Sequence, residues 1–134
     1  MQPCYLICGV SGCGKTWVCK QLKDKFTYIP HDEHYNDFVP VIVRACLSSE
    51  KPVITECPFA ERITKSSLEI HGVEVIPYFV IEPTQKIMKR YYEREGKMPP
   101  QAAVTRASTI INRAIEWQAE FGTSDEVLEK LRNV

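Results

Sequence analysis

The sequence lacks a long apolar segment, a net charge and the cysteine spacing of a zinc site. No apolar run approaches the ~20 residues that a helix needs to cross a bilayer, so no membrane partner is expected. Lys and Arg together number 17, as do Asp and Glu, so the formal net charge of zero argues neither for nor against a polyanionic partner. The six cysteines contain no C-x-x-C pair, which leaves little support for a zinc site.

The cysteines fall instead mostly at apolar positions, where a thiol behaves as a small hydrophobic side chain. The chain also runs from Met1 almost directly into an apolar strand, without the pattern of a secretory leader. These two observations predict a reducing, cytoplasmic setting, which is the host cytoplasm if the protein is viral.

Apolar runs and helix-period patterns alternate along the 134 residues, which predicts one α/β domain covering residues 1–134. Strands are predicted at residues 5–8, 26–30, 52–55 and 73–81. Helices are predicted at residues 15–25, from Asp37, from Pro58, at 84–95 and 101–121, and after a capping box at residues 123–126. Strands joined by helical crossovers form a parallel sheet. The expectation is therefore a short sheet of about four strands flanked by helices, with no convincing fifth strand.

Residues 9–16 read G-V-S-G-C-G-K-T and match the phosphate-binding pattern G-x-x-x-x-G-K-[ST] in full. They follow an apolar strand and open a helix, so the expected architecture is the three-layer P-loop NTPase fold. Main-chain N–H groups of such a loop point at phosphates, and the helix N-terminus adds a favourable dipole. Lys15 is expected to contact the β- and γ-phosphates of ATP, and the Thr16 hydroxyl to bind Mg²⁺. The candidate ATP-binding residues of this loop are Gly9, Ser11, Gly12, Cys13, Gly14, Lys15 and Thr16.

Other nucleotide-binding classes are disfavoured by what surrounds this loop. GTPases carry a D-x-x-G switch and an N-K-x-D guanine-binding sequence, and neither is present. The glycine spacing G-x-x-G-x-G differs from the G-x-G-x-x-G of dinucleotide-binding folds. Motor and AAA-type ATPases need more chain than 134 residues. The motif therefore predicts a phosphotransferase, that is, a kinase.

Two carboxylates follow predicted strands, at the edge of a parallel sheet where ligands bind. Asp32 follows the second strand and is the candidate general base for an acceptor hydroxyl. Glu56 ends the third strand, where it can hold a magnesium-bound water or orient the substrate. His34 and Arg62 are further candidates for acceptor binding. The alternatives are ordinary structural roles. These are a solvated loop or a cap of the next helix for Asp32, a satisfied strand-end carboxylate for Glu56, and a solvated helix face for Arg62.

A basic segment precedes the proline break at residues 99–100. Arg90 and Arg94 are four residues apart, so they share one helix face. Two guanidinium groups on a mobile segment suit closure over a triphosphate, where they would stabilise charge on the transferring phosphoryl group. The sequence thus predicts a lid at about residues 90–104, with Gly96 as a hinge, although a solvated basic helix face is the alternative.

These features together resemble the polynucleotide-kinase-like branch of the P-loop kinases, which includes phage polynucleotide kinases and related phage DNA-modification kinases. The matching residues are those of the phosphate loop, Asp32, Arg90 and Arg94, and the segment at residues 122–128. The resemblance implies an ATP- and Mg²⁺-dependent kinase with a parallel sheet of adenylate-kinase type. It also implies Asp32 as the general base and Thr123 and Ser124 as neighbours of the adenine.

The identity of the acceptor stays open at the level of the sequence. Glu33, His34 and Tyr35 follow Asp32, so the arginine that the family carries shortly after its aspartate is absent. The acceptors considered are a polynucleotide 5′-hydroxyl, a hydroxymethyl-pyrimidine in DNA, a free nucleotide and a small alcohol. A small-metabolite kinase of the gluconate or shikimate type is the second hypothesis, and a nucleotide-binding switch with little turnover is the third.

Overall fold

The computed structural model describes residues 1–10, 12–57, 61–98 and 100–134, with only the backbone of residues 102–108. Five parallel strands form one sheet in the order β2-β3-β1-β4-β5. The strands are β1 Cys4–Cys8, β2 Thr27–Tyr28, β3 Val53–Cys57, β4 Val75–Val80 and β5 Glu120–Gly122. The helices are α1 Lys15–Lys20, α2 Phe38–Ser48, α3 Glu61–Ile70, α4 Thr84–Glu95, α5 Gln101–Glu116 and α6 Ser124–Arg132. The α/β fold with a parallel sheet flanked by helices confirms the fold class that the sequence predicts.

Strand β1 lies at the centre of the sheet, and all five of its residues are buried. It pairs with β3 on one side and β4 on the other, with Cys8 opposite both Cys57 and Phe79. Parallel pairing at the same register brings the carboxyl ends of these three strands to one level. The loops that carry functional groups therefore leave the sheet at one edge.

The helices pack on the sheet through two clusters of buried side chains. The larger cluster joins the sheet to α1, α5 and α6 through residues such as Val18, Ala114 and Leu131. The smaller cluster joins it to α2 and α3, with Ile42 and Leu68 among its members. All six cysteines are buried, as their apolar sequence positions predict. No helix in the described part of the chain has the length and apolar character to span a membrane.

The prediction of no fifth strand is wrong, and the long helix ends earlier than residue 121. Helix α5 ends at Glu116, and Gln118 adopts a left-handed conformation with φ 52°. The chain then turns, and Glu120–Gly122 pairs with the end of β4. No glycine or proline marks this turn, so the helix-period pattern runs through it without a break.

Other boundaries also differ from the sequence-based expectation. Helix α1 ends at Lys20 and continues to residue 25 only as turns, and β2 has two residues, followed by a 3₁₀ helix at His31–His34. Strand β3 extends to Cys57, so Glu56 lies inside the strand rather than after it. The predicted helix start at Pro58 lies outside the described residues. The capping box before α6 is confirmed, since Thr123 and Glu126 exchange both expected hydrogen bonds.

Candidate active site

The phosphate loop connects β1 to α1 and is packed tightly against neighbouring segments. At Gly9, with φ +155°, a Cβ atom would lie 2.6 Å from the Cys13 Sγ and 2.8 Å from the Val80 carbonyl oxygen. At Gly14, with φ +104°, a Cβ atom would lie 3.1 Å from the Ser124 Cβ. Side chains would be strained in these conformations and would collide with their neighbours. These glycines allow β4 and the start of α6 to approach the loop.

Lys15 is buried within the loop, although its ammonium group carries a charge. Its Nζ donates hydrogen bonds to the carbonyl oxygens of Gly9 at 2.6 Å and Val10 at 3.0 Å. These bonds satisfy a buried cation that would otherwise be costly. The ammonium group is thereby held at the concave side of the loop, where the phosphates of a nucleotide would lie.

A cleft of about 780 Å³ opens at the carboxyl edge of the sheet, beside this loop. It brings together most of the residues that the sequence singles out: Gly12, Gly14, Lys15, Thr16, Asp32, Glu56, Arg90, Arg94 and Ser124. Trp17, Glu95 and Asp125 line it as well, and the sequence analysis assigns them no role. The cleft thus contains cations and part of the phosphate loop, with Glu95 and Asp125 on α4 and α6 and the other two carboxylates on the β3 side.

Asp32 and Glu56 stand on that side and differ in exposure. The Asp32 side chain, on the 3₁₀ helix, is 93% exposed. Glu56 is buried in β3, and its Oε1 accepts a hydrogen bond from the main-chain N–H of His31 at 3.1 Å. This bond fixes the start of the 3₁₀ helix against β3. Asp32 therefore projects from a segment that Glu56 anchors.

The other oxygen of Glu56, Oε2, is buried and has no partner at hydrogen-bond geometry in the described chain. The carboxylate lies close enough to affect two other groups, the partly buried Tyr28 hydroxyl and the buried Cys19 thiol. Burial, and second the Glu56 carboxylate, raises the pKa of the Tyr28 hydroxyl and of the Cys19 thiol. A buried carboxylate oxygen of this kind, at the wall of the cleft beside the phosphate loop, fits a cation-bound water as an additional partner.

Several predicted site residues do not line the cleft. The Arg62 side chain is exposed and donates to both carboxylate oxygens of Glu116 at 3.1 Å. The His34 Nδ1 lies 3.6 Å from Asp37 Oδ1. Their acceptor-binding roles stay predictions. Gly9 and Cys13 contribute to the frame of the loop, Thr123 caps α6, and Ser11 lies outside the described residues.

The two arginines of α4 both reach the cleft but have different partners. Arg90 Nη1 donates to the carbonyl oxygens of Cys13 at 3.2 Å and Gly12 at 3.5 Å. Arg94 Nε lies 2.9 Å from Glu95 Oε1, and its guanidinium group lies over the Tyr91 ring. Arg90 therefore joins α4 to the phosphate loop, whereas Arg94 pairs within its own helix.

Glu82, directly after β4, is a functional candidate that the sequence analysis missed. Its side chain is completely buried, and it lies 3.7 Å from Arg90 Nη1. Ser124 donates to Glu82 Oε1 from its main-chain N–H at 3.0 Å and from its hydroxyl at 2.7 Å. In sequence, Glu82 stands in an Ile-Glu-Pro segment between a strand and a helix, at a carboxyl edge. A carboxylate at that position is the sequence feature that could have identified Glu82 as a candidate, because ligands of such sheets bind at the carboxyl edge.

No protein-family profile and no curated protein sequence matches the chain. Solved structures do. A tunicamycin resistance protein from Deinococcus radiodurans has a TM-score of 0.72 at 18% identity, covering 97% of this chain and 93% of that one. A gluconokinase from Sinorhizobium meliloti has a TM-score of 0.59 at 16% identity, covering 81% of this chain and 74% of that one.

A shikimate kinase from Acinetobacter baumannii has a TM-score of 0.57 at 14% identity, covering 98% of this chain and 91% of that one. The chain has the fold of the P-loop kinases. The comparisons support the expected resemblance to P-loop kinases in fold. They do not support the narrower resemblance to the phage polynucleotide-kinase branch.

Proposed function

We propose that this chain is an ATP-dependent kinase that transfers the γ-phosphoryl group to a hydroxyl group. The observation that carries the proposal is the single cleft in which Lys15 and Thr16 of the phosphate loop face Asp32 and the two arginines of α4. Phosphoryl transfer depends mainly on positioning and on stabilising charge, and these residues supply both. The fold shared with solved kinases agrees with the proposal.

In the proposed reaction, the acceptor hydroxyl oxygen attacks the γ-phosphorus in line with the bond to the β-phosphate. Asp32 accepts the hydroxyl proton as the new P–O bond forms and the β–γ bond breaks. The electron pair of the broken bond stays on the β-phosphate oxygen, and ADP leaves. Lys15, Arg90 and Arg94 stabilise the negative charge on the phosphoryl oxygens.

Thr16 and Glu56 are the residues that would hold Mg²⁺, the Thr16 hydroxyl directly and Glu56 through a bound water. The buried Oε2 of Glu56, which has no hydrogen-bond partner among the described residues, fits that role. A magnesium ion bound there supplies positive charge next to the phosphates.

The proposed kinase domain is a single one that spans residues 1–134. Its proposed lid covers about residues 90–104, which are the second half of α4 and the segment after it. Arg90 and Arg94 point from α4 into the cleft, and Gly96 ends the helix in a left-handed conformation with φ 72°. Closure of this segment would exclude water, which otherwise competes with the acceptor for the phosphoryl group. Ser124 also lines the cleft, and with Thr123 beside it would border the proposed adenine site.

We favour a nucleic acid or a nucleotide as the acceptor, including a polynucleotide 5′-hydroxyl or a hydroxymethyl-pyrimidine in DNA. The Asp32 side chain is 93% exposed, and Tyr35 beside it is 78% exposed. An exposed general base next to an exposed aromatic ring suits a large acceptor that approaches over an open surface. His34, on the same 3₁₀ helix, would contact the acceptor, and Arg62 would do so from α3.

A small-metabolite kinase is the second candidate. It is favoured by the structural similarity to proteins named as a gluconokinase and a shikimate kinase. A compact acceptor would need the open side around Asp32 to close over it. A nucleotide-binding switch with little turnover is the third candidate, and it requires no acceptor at all.

Transfer from labelled ATP to a panel of acceptors tests these candidates. The panel contains mononucleotides, 5′-hydroxyl oligonucleotides, hydroxymethyl-pyrimidine DNA, gluconate and shikimate. We expect label in a nucleic acid or nucleotide, and label only in a metabolite would select the second candidate. Asp32→Asn should bind ATP normally and lose transfer, whereas Glu33→Gln, on the same 3₁₀ helix but outside the cleft lining, should retain it. If the unaltered protein binds ATP but transfers phosphate to no acceptor of the panel, the result would favour the third candidate, a nucleotide-binding switch.

A further inference from the structure

Glu82 connects three segments that meet beside the phosphate loop. It follows β4 and precedes α4, and its Oε1 accepts both hydrogen bonds from Ser124 at the start of α6. Lys86 Nζ lies 3.3 Å from Oε2, and Arg90 Nη1 lies 3.7 Å from Oε1. Lys86 and Arg90 are four residues apart, so both reach Glu82 from one face of α4.

Arg90 carries this connection onward to the phosphate loop. The nitrogen atom nearest to Glu82, Nη1, is also the one that donates to the carbonyl oxygen of Cys13. At Gly14, a Cβ atom would lie 3.4 Å from the same nitrogen and 3.1 Å from the Ser124 Cβ. Glu82, Arg90 and Ser124 thus surround the turn from which α1 begins.

A buried anion beside a triphosphate site requires a specific reason. Burial raises the pKa of the Glu82 carboxyl, but the hydrogen bonds from Ser124 and the ammonium group of Lys86 outweigh burial, and the pKa is lowered overall. The group is therefore ionised at neutral pH. An ionised carboxylate repels the phosphates of a nucleotide, so its charge alone would weaken nucleotide binding.

We propose that Glu82 is a positioning residue that holds the Arg90 guanidinium group at the phosphate loop, in the orientation in which it binds the triphosphate. This inference rests on the proposed function, because it takes ATP as the ligand of the cleft. Glu82 does not touch the nucleotide itself. It limits the rotamers of a long side chain that otherwise has many, so less freedom is lost when the phosphates bind.

The direction in which Glu82→Gln changes ATP affinity distinguishes a positioning role from an effect of charge alone. Glu82→Gln keeps the size of the side chain and can still accept from Ser124, but it loses the ion pairs to Lys86 and Arg90. If Glu82 acts only through its charge, removing the charge would tighten ATP binding. If Glu82 positions Arg90, the variant should bind ATP about tenfold more weakly, which corresponds to one lost charge-assisted interaction.

The experiment is a double-mutant cycle in ATP affinity, measured by isothermal titration calorimetry on the full chain. Arg90→Ala should weaken binding, and adding Glu82→Gln to Arg90→Ala should weaken it no further, because the two substitutions remove one shared function. Glu93→Gln removes a carboxylate from α4 outside the cleft lining and should bind like the unaltered protein. Melting temperatures of all variants check that they fold.

Two outcomes overturn the inference: affinity of Glu82→Gln equal to or tighter than that of the unaltered protein, or additive losses in the cycle. Glu82→Asp gives an independent test if Glu82→Gln does not fold. It keeps the carboxylate charge but withdraws it from Lys86 and Arg90 by one methylene, so positioning predicts weaker ATP binding, whereas a role of charge alone predicts unchanged affinity. Failure of the unaltered protein to bind ATP would instead contradict the proposed function.

Discussion

The two tryptophans occupy different environments, which makes them useful as separate reporters. Trp17 follows Thr16 on α1, lines the cleft and is 44% exposed. Trp117 packs against the Phe79 ring at 5.7 Å and lies near the cationic groups of Lys65 and Arg113. A large apolar ring at the wall of a polar cleft is a surface on which a base or sugar can stack.

We predict that ATP quenches the fluorescence of Trp17. In a Trp117→Phe variant, where Trp17 is the only tryptophan, ATP should change the emission in a saturable manner, and inorganic tripolyphosphate should produce a smaller change because it has no base. The Trp17→Phe variant, which keeps only Trp117, should show little response. An equal response of both single-tryptophan variants would contradict the placement of Trp17 beside the nucleotide.

Lys15→Ala should abolish measurable ATP binding. The substitution removes a buried ammonium group held by the carbonyl oxygens of Gly9 and Val10, and with it a charge-assisted contact to the phosphates. The loss should exceed about tenfold in affinity, since hydrogen bonds to charged groups contribute roughly 1.5–3 kcal/mol. Lys20→Ala, at the exposed end of the same helix, serves as the control, and calorimetry gives both affinities.

Among the helices, the start of α6 is determined by residues next to it in the sequence, whereas the end of α5 depends on a distant strand. The capping box of Thr123 and Glu126 could be predicted from four residues of sequence, because both bonds form within one turn. The turn at Gln118 could not, since its conformation is set by pairing of residues 120–122 with β4, about forty residues away in sequence. The end of α5 is therefore determined by strand pairing in the tertiary structure, which a local sequence pattern does not predict.

Loss of the capping box should destabilise the protein without removing the cleft. Thr123→Ala removes the side-chain acceptor for the Glu126 N–H and should lower the free energy of unfolding by about 1 kcal/mol. Ser66→Ala, at an exposed position within α3, has no capping role and should leave stability nearly unchanged. Urea denaturation of the two variants makes the comparison, and equal midpoints would show that the cap contributes nothing.

At the scale of the whole molecule, the sequence predicts the groups of the site that belong to a motif or follow a strand. Four residues of the phosphate loop line one cleft together with Asp32, Glu56 and the arginines of α4. Glu82 and Asp125 were not singled out, because their proximity to the loop arises only when β4 and α6 pack beside β1. Arg62 was singled out as a cation on a helix, but its structural partner, Glu116, lies 54 residues away.

The buried Glu82 carboxylate should make stability depend on pH. Its pKa is lower in the folded protein than the value of about 4.3 that a glutamate has in an unfolded chain. Its stabilising contribution is therefore present above that pH and is lost as the pH falls through the folded-state pKa. The difference in unfolding free energy between the unaltered protein and Glu82→Gln should shrink in this acidic range.

Urea unfolding of both proteins at a series of pH values between neutral and acid measures this difference. The Glu126 carboxyl also has a lowered pKa, mainly because the main-chain N–H of Thr123 donates to it. The Glu82 charge is the smallest of the influences on that pKa, so the Glu126 contribution is nearly the same in both proteins and largely cancels. A difference that stays constant over the series would contradict the assignment of an ionised Glu82.

The central place of β1 has a consequence for synthesis of the chain on the ribosome. Its hydrogen-bonding neighbours are Val53–Cys57 and Val75–Val80, so β1 can pair on both sides only after β4 has also been translated. Until then, a fully apolar nascent segment lacks its native cover, and it is a natural binding site for chaperones that hold emerging chains.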